Sequence, residues 1–283
     1  MTHRATPRFS RRSFLRFGAL AAAGTLALRL PPAPSGLELP SMRVKSALPL
    51  PGYAFLPFPE RLLWGDLAHL DAALVPAYVA AQLIQRSLLQ PLQGPAGRAH
   101  DPEGRYTLPF AYRVAALRYP DARTAPAAAR WDDLWAAPGG ALWPAFGRVL
   151  SGAALLRRGY SPNDSHPGHL AQAADDLSRL GPRIVPDESQ RSQNSLALRL
   201  VDPRVIGQAN ALRLPAAATM LIEYDWVISA SGPQAAAAPR FIDGLRPAAQ
   251  TLRADLPVRL IPLMPASAAA QVQHDGIWAG LAG

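Results

Sequence analysis

Short apolar runs alternate along this chain with stretches of helical period, and Pro or Gly marks most of the changes. That alternation constrains the fold more than any other feature, because strands interleaved with helices favour an α/β fold with a mainly parallel sheet. Met42–Leu48 and Tyr53–Phe58 read as extended runs separated by Pro49, Pro51 and Gly52. Glu60–His69 suits a short helix, and Leu70–Val75 is an apolar run of the buried-strand type. Pro76 follows, then a predicted helix over 78–89 with Val79, Leu83, Ile84 and Leu88 on one face. Tyr106–Leu117 is the next strand pattern, Trp131–Trp135 a short helix, Ala141–Pro144 a strand and Val149–Arg158 a helix. A helix running to Leu180 has Pro167 in its first turn, with Asn163, Asp164 or Ser165 available as cap. Thr219–Ala230 is strand-rich, and Pro239–Leu245 begins a last helical region.

At 283 residues the chain is long enough for two lobes with cores of their own. The net charge of +9 looks like a nucleic-acid or anionic-surface footprint. Six of those charges (Arg4, Arg8, Arg11, Arg12, Arg16 and Arg29) fall in residues 1–30, which carry no acid. The remainder has no dense basic run with interleaved aromatics, which argues against nucleic-acid binding. The absence of cysteine excludes disulfides, thiol catalysis, cysteine metal sites and a lipid-modified N-terminal Cys.

The segment Ser10-Arg11-Arg12-Ser13-Phe14-Leu15-Arg16 matches the twin-arginine export signal in Arg11, Arg12, Phe14 and Leu15. A weakly apolar stretch from Phe17 to Leu28 follows, too short and too rich in Gly and Ala for a good membrane span. The Pro-rich segment 31–41 ends it. The reading is an export segment over 1–30, a linker over 31–41, and a folded body sent to the periplasm by the twin-arginine translocase.

Five segments, in fixed order, carry a family resemblance. They are Leu70-Asp71-Ala72-Ala73-Leu74-Val75-Pro76; Tyr106-Thr107-Leu108-Pro109-Phe110; Trp131-Asp132-Asp133-Leu134-Trp135; Leu155–Ser161, ending Gly159-Tyr160-Ser161; and Val227–Ala230 followed by Phe241-Ile242-Asp243. Together they resemble the periplasmic spermidine/putrescine-binding proteins that feed ABC importers, in a divergent and shortened form. The resemblance covers residues 70–180 best and 219–247 next. It implies a two-lobed type II periplasmic-binding-protein fold with a hinge and a ligand cleft. Lobe one would comprise 42–111 and 228–283, and lobe two 112–227. It also implies a monomer that presents a small solute to an inner-membrane ABC permease, with no cofactor and no catalysis.

Several positions depart from that family. Ammonium groups need carboxylates, and the alkyl chain between them needs aromatic walls. The family's acidic positions fall here on Phe146 and Val149, and its crossover glycine on Arg113, whose charge would oppose a polyamine. The residues expected to line the cleft are Tyr78, Tyr112, Arg113, Phe146, and some of Glu223, Tyr224, Asp225 and Trp226. Because strand side chains alternate, Glu223 and Asp225 should share one face and Tyr224 and Trp226 the other. Such a site should bind spermidine and putrescine weakly or not at all, and suit a small amphipathic or zwitterionic solute better. A sensor or structural partner on the same fold, and a periplasmic enzyme, are the competing readings. His166-Pro167-Gly168-His169 lacks a third ligand nearby and reads as a helix start, so no metal site is expected. No nucleophile elbow or phosphate loop is present.

Overall fold

A computed structural model describes residues 42–48, 54–56, 59–137, 140–181, 183–185, 195–207, 211–234, 236, 238 and 256–282. The export motif at Arg11, Arg12, Phe14 and Leu15 lies outside them, as do the linker and the helical start expected at Pro239–Leu245.

The described strands form one hydrogen-bonded path with two parallel ends and an antiparallel middle. At one end β1 (Val44–Ser46) pairs in parallel with β2 (Ala54–Phe55) and with β3 (Ala72–Pro76). At the other, β5 (Leu142–Pro144) pairs in parallel with β6 (Arg183–Val185) and β7 (Ala197–Val201). Two long strands join these groups: β4 (Leu108–Arg118), to which the short β8 (Leu212–Arg213) adds, and β9 (Thr219–Ile228). β9 runs antiparallel to β3 through its second half, β4 runs antiparallel to β7 through its second half, and β4 and β9 pair with each other. The sheet is therefore mixed rather than mainly parallel. Each long strand leaves one group and enters the other, and the two travel in opposite directions. Pro109 has no N–H to give the ladder, and the β4–β9 register shifts between Pro109 and Ala111.

β3 is buried at all five positions, as expected of a strand covered on both faces. Helix α1 (Ala77–Gln85) follows directly and ends earlier than expected, with Ser87 at φ 55° turning the chain. The segment expected as one helix over 60–69 is two 3-10 turns, Pro59–Trp64 and Asp66–His69, parted by Gly65. Helices α2 (Asp133–Ala136), α3 (Gly147–Arg157) and α4 (Pro167–Leu180) match the expected periodicity. His166, not Asn163, Asp164 or Ser165, stands at the start of α4. Asp164 instead accepts from the His166 N–H at 2.8 Å and contacts His169 Nδ1 at 2.8 Å.

Helix α3 packs close to β9: a Cβ on Gly152 would lie 2.5 Å from Met220 Sδ. The core around this contact includes Leu74, Val79, Leu83, Leu117, Leu150, Leu155, Met220 and Ile222. The C-terminal strand β10 (Leu260–Pro262) pairs in parallel with the Thr219 end of β9, and α5 (Ala268–Ala282) packs on α3 and α4. Residues 260–282 thus lie against elements of the segment expected as lobe two. No helix among the described residues is long and apolar enough to cross a membrane.

Candidate functional site

β9 carries functional side chains on both faces, and the structure separates the expected site residues accordingly. Glu223 pairs across the ladder with Tyr112, and Asp225 with Val75. Tyr224 stands opposite Pro76, and Trp226 opposite Leu74 and Leu108. The alternation expected from the sequence therefore holds.

On the acidic face the carboxylates are already met by the chain itself. Arg98 donates to Asp225 Oδ1 through Nη1 and to Glu223 Oε2 through Nη2, the latter at 2.5 Å. His100 Nε2 lies 2.8 Å from Asp225 Oδ2. The Asp225 side chain is fully buried and that of Arg98 is 12% exposed, so both charges are withdrawn from water and rely on each other. Burial alone would lower the Arg98 pKa, but Asp225 and Glu223 outweigh it and hold the pKa above the ordinary arginine range. Tyr112 lies beside this group, its pKa raised by burial and then by the Glu223 charge.

Arg98 and His100 arrive on a braced loop between α1 and β4. The Asp101 carboxylate accepts from the backbone N–H groups of Arg105, Tyr106 and Thr107 and from Thr107 Oγ1, all at 2.8–2.9 Å. Burial would raise the Asp101 pKa, but these hydrogen bonds pull it below the usual carboxylate range. The Gly94 N–H donates to Gly104 O at 2.7 Å. A Cβ on Gly94 would lie 2.0 Å from Thr107 O, so no other residue fits this backbone approach.

On the other face Tyr224 is fully buried and lies near Tyr78, on the first turn of α1. The Tyr78 hydroxyl donates to Glu60 Oε1 at 3.1 Å. Glu60 also accepts from its own backbone N–H and from that of Arg148, in the first turn of α3. Burial raises the Glu60 pKa to about 7 against these hydrogen bonds, and raises that of Tyr78 well above its usual value. The Arg148 side chain is 1% exposed. Its Nη1 donates to His274 Nε2, and Nη2 reaches Asn163 Oδ1 at 3.3 Å and Met264 O at 3.2 Å. Burial lowers the Arg148 pKa to about 10, partly countered by Tyr78 and Glu60. Burial, followed by the Arg148 charge, lowers the His274 pKa to about 2, so its imidazole is neutral.

A guanidinium can only donate, so His274 Nε2 is an acceptor and the ring proton sits on Nδ1. Among the described residues neither His274 Nδ1 nor Arg148 Nε has a hydrogen-bond partner. A buried donor left unmet costs about 1–3 kcal/mol. Glu60, Gly147, Arg148, Gln271, His274 and Asp275 line one hollow, whose walls leave no room for a water molecule.

The remaining expected residues divide between the two regions. Phe146 is buried at the start of α3, beside the Glu60 face. Trp226 meets Phe110 edge to face at 5.8 Å in the core. Arg113 donates to Tyr112 O at 2.8 Å and lies 3.7 Å from Asp202, which offsets its charge. Glu60, Arg98, His100, Arg148 and His274 were not singled out from the sequence, since the pairings Arg98–Asp225 and Arg148–His274 span 127 and 126 positions. The only local signal was the Tyr78 position itself. The His166 and His169 rings sit 4.5 Å apart, and His169 stacks on Tyr160. Among the described residues no group of three or more ligating side chains is placed to hold a metal ion.

Two long antiparallel strands linking two parallel groups, with side chains buried between the segments they join, is a recognisable architecture, and solved structures match it. A protein from Listeria monocytogenes described as a spermidine/putrescine ABC transporter aligns with a TM-score of 0.66 at 17% identity, covering 81% of this chain and 90% of that one. The fold is that of the two-lobed, type II periplasmic binding proteins. The TpPotD lipoprotein of Treponema pallidum aligns with a TM-score of 0.58 at 16% identity, over 81% of this chain and 90% of that one. An ABC transporter substrate-binding protein from Bradyrhizobium japonicum aligns with a TM-score of 0.53 at 14% identity, over 76% and 83%. The sequence matches no protein-family model and no curated protein.

Proposed function

We propose that this chain is the exported solute-binding component of an ABC importer, of the polyamine-binding type in ancestry but altered in ligand. The observation that carries the reading is the buried Glu60–Tyr78–Arg148–His274 cluster, set among residues from three separate parts of a binding-protein fold. Buried polar groups that face one another across chain segments, with donors left over, suit a ligand site better than a core. Two of the structures it resembles are described as ABC transporter proteins, one of them a substrate-binding protein, which supports a permease partner and a non-catalytic role. The twin-arginine segment at Arg11, Arg12, Phe14 and Leu15 supports delivery to the periplasm in folded form, and the folded protein is taken to be a monomer. The expected lobe boundaries are 42–111 with 228–283, and 112–227; the packing of residues 260–282 on β9, α3 and α4 supports moving that last stretch to lobe two.

The closure of Asp225 and Glu223 by Arg98 and His100 supports the altered ligand. The acids nearest the hinge strands already hold a cation of the chain's own, so a polyamine would have to displace a braced guanidinium. The test is native mass spectrometry of the protein recovered from its own periplasm. A small molecule that leaves on unfolding is expected, and protein free of any such adduct after gentle recovery would refute the reading. Replacing Arg11 and Arg12 with Lys should leave precursor in the cytoplasm; normal periplasmic accumulation would refute the export route.

A further inference from the structure

We infer that the hollow between Glu60, Arg148 and His274 receives the carboxylate of a small zwitterionic, amino-acid-type solute. This rests on the solute-binding reading and names the ligand class that reading leaves open.

The argument begins with the two unmet donors. Arg148 Nε–H and His274 Nδ1–H are both polar hydrogens on side chains only 1–2% exposed, and both line the same hollow. Neither can act as an acceptor, since the guanidinium has no lone pair to offer and the imidazole Nε2 is committed to Arg148. What is missing is therefore an acceptor, and a guanidinium favours a carboxylate above a neutral oxygen. The first turn of α3 ends at the same place, where the Arg148 backbone N–H already holds one carboxylate, that of Glu60.

The other lining groups set the rest of the ligand. Glu60 and Asp275 both face the hollow, and among the described residues Arg148 is the one arginine lining it, although the Arg86 charge acts on Asp275. A purely anionic solute would meet two carboxyl groups beside one guanidinium. A polyamine would meet Arg148 head-on. A solute with a carboxylate for Arg148 and His274, and an ammonium for the Glu60 side, matches each of the lining charges with its opposite. The walls come from three chain segments, 59–64, 147–148 and 271–275, and leave no room for a water molecule, so binding requires these segments to move apart.

The test uses the full chain, cleared of bound solute by unfolding and refolding. Calorimetry is run with three probe sets: the twenty L-amino acids, succinate with citrate, and putrescine with spermidine. We expect at least one amino acid to bind, and the other two sets to bind at least 100-fold more weakly. Arg148→Lys, which keeps charge but loses Nε–H, and His274→Phe, which keeps the ring but loses the donor, should each weaken that binding ~10- to 100-fold. Circular dichroism confirms that each variant is folded, and the milder His274→Gln serves if Phe is not tolerated. Binding of spermidine or succinate in preference to every amino acid would overturn the inference. So would amino-acid binding that the folded variants leave unchanged, or no binding in any set. The adduct released from periplasmic protein separates the two claims. A released polyamine or dicarboxylate sinks this inference and keeps the solute-binding reading, whereas no adduct sinks both.

Discussion

The two faces of β9 solve the problem of buried charge in opposite ways. On the Glu223–Asp225 face every described charge has a partner within the chain, and the loop that brings Arg98 and His100 is fastened by Asp101. On the Tyr224 face a guanidinium, an imidazole and a carboxyl are as deeply buried, yet two donors lack acceptors among the described residues. The first arrangement reads as a finished structural joint and the second as one awaiting a group. Acidic residues on a long strand such as β9 are thus a poor guide to a ligand when another part of the chain can reach them first.

The comparison breaks most sharply at Asp225. Asp225→Ala leaves Arg98 and His100 buried against Glu223 alone, and should cost ~3–5 kcal/mol in chemical denaturation. A loss below ~1 kcal/mol would show that the acidic face is not a closed joint.

The second contrast is in pH dependence on the other face. Glu60 has its pKa raised from 4.5 to about 7, so the folded state holds its proton more tightly than the unfolded chain. Its contribution is full below pH 4.5 and is lost as pH rises towards 7. His274 is lowered from 6.5 to about 2, so its contribution is full above pH 6.5 and is lost as pH falls. Between pH 4.5 and 6.5 the two slopes oppose and nearly cancel. Glu60→Gln should therefore make stability fall on acidification through that window, and His274→Phe should make it fall on the way up. Each change should amount to ~3 kcal/mol across the window, in pH-resolved denaturant melts. Slopes of the same sign in both variants would contradict the assignment. Tyr78, Arg148 and Asp275, which surround these groups, are unchanged in both.

A smaller effect belongs to the brace. Asp101→Ala removes four hydrogen bonds to one carboxylate and should cost ~2 kcal/mol. Hydrogen exchange should quicken at Arg105–Thr107, while the hollow's own groups keep their protection. Smallest of all, Glu103→Ala breaks an ion pair with Arg105 whose side chains are 64% and 66% exposed, and should shift stability by less than ~0.5 kcal/mol. That variant calibrates the others, because it lies in the same loop as Arg98.

The local elements were largely legible because local rules govern them. The buried run at Leu70–Val75 forms β3, the strand patterns at Tyr106–Leu117 and Thr219–Ala230 form β4 and β9, and Pro167 opens α4. Where a single backbone angle intervened, the reading slipped: Gly65 at φ 113° divides the expected 60–69 helix, and Ser87 ends α1 early. Strands β6 and β7 fell in a stretch that matched no expected pattern, whereas α5 lies in the helical region expected to follow Pro239.

The sequence alone determined the order of β3, α1, β4, α2, β5, α3, α4 and β9, and the alternation that sends Glu223 and Tyr224 to opposite faces. Each follows from backbone geometry over a few neighbouring residues. Only the tertiary structure decided that Arg98 closes the acids and that Arg148 and His274 meet beside Glu60. Those outcomes depend on partners more than 120 positions apart and on how much water each pair gives up. A charge's fate is settled by what is buried beside it, and no stretch of sequence contains that information.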